Sequence, residues 1–106
     1  MSSFGRSFPT VCISATGTSK SVAIPVGTSS CRVCNTSGTL TVFTTFGVGS
    51  ATAVIPTADN ATGTDVHCTL PYEFSHIDVP KGANTIACIG SGAGPTLVYF
   101  ELGSSS

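Results

Sequence analysis

Charge is scarce in this chain of 106 residues: Lys, Arg, Asp and Glu together make up 8% of it, against about 25% in typical soluble proteins. Arg6, Lys20, Arg32 and Lys81 are too few and too scattered to form a basic stripe, which excludes nucleic acid as a partner. No apolar run approaches the roughly 20 residues of a membrane span, so no membrane partner is expected. The opening stretch "MSSFGRSFPT" lacks the apolar core of a secretory signal, and synthesis without export, in a reducing cytoplasm, is expected. The five cysteines, an odd number, are then read as free thiols, and the sequons "NTS" and "NAT" as unmodified. Helix-forming runs are missing too: Gly, Pro, Ser, Thr and β-branched residues interrupt every window, and apolar residues nowhere keep a three-four spacing.

What remains is a β pattern. Short β-rich runs near 10–15, 20–25, 29–35, 39–47, 51–56, 65–70, 74–79, 84–90 and 95–102 alternate with turn chemistry such as "PVGTSS", "NTSG", "VPKGAN" and "GSGAGP". The expected fold is all-β: an antiparallel β-sandwich of about eight or nine strands, jelly-roll-like. A flexible arm at 1–9 precedes the single domain at 10–103, and a tail follows at 104–106.

Alternation assigns the faces. In "TLVYFEL", Val98, Phe100 and Leu102 form a core row, while Leu97, Tyr99 and Glu101 point outward. An outward leucine beside an outward tyrosine is ordinary surface or an oligomer contact. In 74–79, Phe74, His76 and Asp78 share the wetter face. Phe43 and Phe46 fall on opposite sides of one strand, as expected of a strand covered twice. In the arm, Phe4 and Phe8 are candidates to order against a neighbouring subunit.

Chemistry is poorly provided for. "CRVCN" has the spacing of a zinc knuckle or a redox pair, but on a strand Cys31 points with Val33 and Cys34 with Arg32, so the thiols cannot share a metal without a bulge. A thioredoxin-like role needs the motif to open a helix. His76 and Asp78 allow only a loose pair, with no nucleophile elbow or oxyanion hole beside it. "GSGAG" lacks the Lys and helix of a phosphate loop and reads as a hairpin turn. No catalytic residue, no cofactor and no metal ligand is assigned, and the chain is read as a non-enzyme.

The run from "SVAIPVGTSSCRVCNTSGTLTVFTTFG" to "IDVPKGANTIACIGSGAGPTLVYFELG" resembles a family of small virion proteins of tailed bacteriophages. The matching residues are Arg32, Val33 and Asn35; Phe46 and Gly47; Pro80, Gly82 and Ala83; Thr85 through Ile89; and Leu97 to Phe100. Region 50–72 departs from the pattern, being longer and more polar. The resemblance implies a capsid decoration or cement protein on the outer surface of the virion. Its partners would be the major capsid protein and further copies of itself, as a homo-oligomer (dimer or trimer). Contacts are expected from Phe4, Phe8, Leu97 and Tyr99. The alternative is a receptor- or glycan-binding adaptor module of a tail fibre or baseplate, since β-sandwiches host both tasks.

Overall fold

The computed structural model describes residues 7–56 and 66–103, with side chains from Pro9 onward. Among the described residues eight strands form: β1 (Ser7–Ala15), β2 (Lys20–Ala23), β3 (Ser30–Asn35), β4 (Val42–Gly47), β5 (His67–Thr69), β6 (Phe74–Asp78), β7 (Thr85–Gly90) and β8 (Thr96–Gly103). They build two four-stranded sheets, ordered β1-β8-β3-β6 and β2-β7-β4-β5, and every pairing is antiparallel. Only β4 and β5 are both consecutive in the chain and paired; every other connection crosses from one sheet to the other.

The expected strand at 51–56 does not form. Its β-branched residues suit a strand, but the segment pairs with neither free edge of the sheet beside it, β2 or β5. Ala53 instead donates its N–H to the Ser19 hydroxyl at 2.9 Å and is itself buried. "GSGAG" likewise departs from expectation, because it joins β7 in one sheet to β8 in the other rather than closing a hairpin. β1 begins at Ser7, three residues before the expected start. Residues 1–6 and 104–106 lie outside the described residues.

Inward positions follow the period of two. Ile13 and Ala15 on β1, Cys31 and Val33 on β3, and Val98, Phe100 and Leu102 on β8 meet Val42, Ile86 and Cys88 of the other sheet. Phe100 and Ile86 are wholly buried and are the largest such side chains. Truncating Phe100 to Ala should cost about 3–5 kcal/mol. A hydrogen bond between the Thr69 and Ser75 hydroxyls, 3.1 Å long, also links the sheets, from β5 to β6.

The two outer faces differ. In the β2-β7-β4-β5 sheet Ala87 and Thr45 sit side by side on the outward positions, yet Ala87 has no exposed surface and Thr45 almost none, so the middle of this face is covered. Strand β4 is therefore buried on both sides, as its two phenylalanines imply. The outer face of β1-β8-β3-β6 carries Cys12, Phe74, Leu97 and Tyr99 in the open.

Candidate interaction face

The register places these residues in rows across the open face. Cys12 on β1 is opposite Tyr99 on β8, Tyr99 is opposite Cys34 on β3, and Cys34 is opposite Phe74 on β6. One residue pair along the strands, Thr10, Glu101, Arg32 and His76 form the next row. Leu97 flanks the aromatic row on its other side, where the Thr36 hydroxyl donates to the Leu97 carbonyl at 2.7 Å. Phe74 is 60% exposed, Leu97 48% and Tyr99 36%, an uncommon amount of apolar side chain to leave in water on one sheet.

The charged row is organised. Arg32 Nε lies 2.9 Å from Glu101 Oε1, a charge pair in which the N–H does not point at the oxygen. Both side chains are about half exposed, so the pair adds well under 1 kcal/mol to folding. The Arg32 guanidinium carbon also sits 4.8 Å from the centroid of the Phe74 ring, a cation–π contact that holds the ring against the sheet. Beside this row an open depression of about 330 Å³ is lined by Ser30, Arg32, His76 and Glu101, among others.

At the end of the face, residues 70–73 form a turn in which the Glu73 N–H donates to the Leu70 carbonyl at 3.1 Å. Pro71 sets its second position, and Tyr72 takes the left-handed third at φ 58°. Tyr72 is 78% exposed, and its ring lies so close over Gly38 that a β-carbon there would meet it at 2.8 Å. Buried Asn35 ties this turn to the sheet: its amide donates to the carbonyls of Leu40 (2.8 Å), Leu70 (3.2 Å) and Thr69 (3.3 Å). Its Oδ1 accepts from the Ser37 N–H at 3.0 Å.

Of the four residues expected at an interface, Leu97 and Tyr99 stand together on this face. Phe4 and the side chain of Phe8 lie outside the described residues. Sequence reasoning missed Cys12, Cys34, Phe74 and Tyr72 as their neighbours. Outward alternation marked Phe74, but only the register brings it level with Tyr99.

Cys31 and Cys34 point to opposite sides, Cys31 inward with Val33 and Cys34 outward with Arg32. Burial, and secondarily the Cys34 thiol, pushes the Cys31 thiol up to about 12. Cys88 is pushed up to about 12, chiefly by burial. Both are inert as nucleophiles at neutral pH. Among the described residues no three His, Cys, Asp or Glu side chains converge as a metal site, and all five cysteines are free. His76 and Asp78 share the outward face of β6 without a hydrogen bond or ion pair between them among the described residues. A second cavity, of about 240 Å³, opens between β4, β5 and β6 and is lined by Thr44, His67, Ile77 and Asp78 among others; the buried Thr44 hydroxyl has no hydrogen-bond partner there.

No protein-family model matches the sequence, no curated protein matches it, and no solved structure matches the fold.

Proposed function

We propose that this chain is a structural, non-enzymatic decoration protein that binds and cements the outer surface of a tailed-bacteriophage capsid. The observation that carries the reading is the open face of β1-β8-β3-β6, where Phe74, Leu97 and Tyr99 are exposed on a chain with too few charges to repel a neighbour. The strand pairing supports it further. β1 with β8, β2 with β7, β3 with β6 and β4 with β5 is the nesting of a jelly roll, an architecture frequent in viral shells. The mechanism is mass action: each bound copy buries surface on the major capsid protein, and a shell must lose those contacts before its subunits part.

A receptor- or glycan-binding module of a tail fibre or baseplate is the second reading. It is favoured by Tyr72 and Phe74, two exposed aromatics on and beside one turn, the arrangement on which sugar rings stack.

Electron cryo-microscopy of the particle that carries the chain separates the two. Decoration requires copies spread over the capsid lattice. Density confined to tail or fibre tips would overturn it in favour of the second reading.

A further inference from the structure

The exposed face on which the decoration reading rests can meet more than one partner, and the arrangement of its charges selects one. We propose that a second copy of this chain packs on it, related by a two-fold axis that lies in the interface, parallel to the strands, between β8 and β3. The inference deepens the decoration reading by naming one partner of its homo-oligomer, and it stands on the register alone.

An axis of this kind keeps each row at its own height and exchanges the two halves of the sheet. Residues paired across the β8–β3 boundary in one chain then face each other between chains. Glu101 is paired with Arg32, so each Glu101 meets Arg32 of the partner subunit, and the two copies close a ring of alternating charge. In the next row Tyr99 faces the partner's Cys34, and Cys12 faces the partner's Phe74, so apolar groups meet apolar groups. Thr10 faces the partner's His76.

The other simple two-fold, perpendicular to the strands, lays every strand over itself. Centred on the charged row it sets Glu101 against the partner's Glu101 and Arg32 against the partner's Arg32. Centred on the aromatic row it sets both charges against the row of Leu97 and Thr36. Like charges or unpaired charges facing an apolar row are each unfavourable, so the strand-parallel axis is selected. Packed sheets usually cross at roughly 30°. Glu101 and Arg32 tolerate such a rotation because strands about 4.8 Å apart place both within a few Å of the axis.

Sedimentation velocity and light scattering on the full chain test the proposal. Twice the 10.6 kDa chain mass is expected for the wild type. Arg32→Glu or Glu101→Arg alone should weaken the dimer about tenfold or more, and the double exchange R32E/E101R should restore it, because the alternating ring is rebuilt with its signs reversed. Circular dichroism of each variant confirms that the monomer is folded. A monomer at all concentrations up to the millimolar range, a trimer, or folded single variants that dimerise as the wild type does would each overturn the proposal.

An independent reading comes from native thiols. Cys12 lies on the proposed interface and exposed Cys68 on the other sheet. Labelling of Cys12 by a maleimide should slow as protein concentration rises while that of Cys68 does not; a Cys12 rate independent of concentration overturns the proposal. Neither experiment involves a capsid, so failure of the dimer and failure of shell binding are read separately.

Discussion

The side-chain amide of Asn35 donates to the carbonyl of Leu40 across 2.8 Å, from the end of β3 into the loop that leads to β4. Its second proton is shared between the carbonyls of Thr69 and Leu70, so one buried side chain holds the loop, the end of β5 and the Tyr72 turn. Replacing Asn35 with Ala takes a donor from each of these carbonyls, of which Leu70 keeps the Glu73 N–H. The expected loss is about 2–3 kcal/mol in urea unfolding, and Asn35→Asp, which brings acceptors to acceptors, should be worse at pH 7.

Three turns in the chain are built alike, and one breaks their rule. In 25–28 and 80–83 the fourth N–H bonds the first carbonyl, and Gly27 (φ 95°) or Gly82 (φ 87°) takes the left-handed third position. In 70–73 that position is Tyr72. Tyr72→Gly should therefore stabilise the fold, by up to about 1 kcal/mol less whatever the ring gains over Gly38, and raise the thermal midpoint. The same substitution removes the most exposed aromatic among the described residues and should weaken partner binding, by calorimetry or co-sedimentation. Stability and binding moving in opposite directions marks Tyr72 as displayed for contact; a fall in both would mark it as packing only.

Two buried threonines should respond oppositely to the same change. Thr44 is 1% exposed and its hydroxyl has no partner, so Thr44→Val, of nearly equal shape, should stabilise by about 1 kcal/mol. Thr69 is fully buried, and its hydroxyl bonds that of Ser75 between the sheets, so Thr69→Val should destabilise by about 1 kcal/mol. Chemical denaturation of the pair checks both signs.

The buried thiols give the fold an alkaline limit. Cys31 and Cys88 stay protonated in the folded chain up to about pH 12, whereas in the unfolded chain they ionise near their ordinary value of 9.0. Between these values the unfolded state binds fewer protons, so stability falls as pH rises, by roughly 1.4 kcal/mol per pH unit for each thiol. Below pH 9 the two contribute no slope. The double variant Cys31→Ala, Cys88→Ala should flatten the decline above pH 9 in denaturation curves, while remaining less stable at neutral pH.

Much of this architecture was legible in the residues because period-two alternation reports burial directly. Alternation puts Val98, Phe100 and Leu102 inward and Leu97, Tyr99 and Glu101 outward, and each is so placed. "CRVCN" is a strand with one thiol on each face, as its spacing implies. The failure at 51–56 has a different cause: strand propensity describes a segment, whereas a strand requires a ladder partner, and 51–56 has none. The face itself stayed hidden for a related reason. Tyr99 and Phe74 are separated by a whole strand, and nothing local to either shows that Cys34 bridges them.

Strand β8 lies between β1 and β3, although it is the last of the eight to be synthesised. Until residues 96–103 have left the ribosome, β1 has no partner in its sheet and β3 lacks one of its two. Closure therefore waits on contacts of long sequence separation, which are slow to form. Leu97, Tyr99 and Glu101 arrive on that same strand, so a chain still being translated has a half-built sheet and lacks the central row of its exposed face. Closure of this sheet and completion of its exposed outer row are thus one event, and until it happens the free edges of β1 and β3 are what a neighbouring chain would meet.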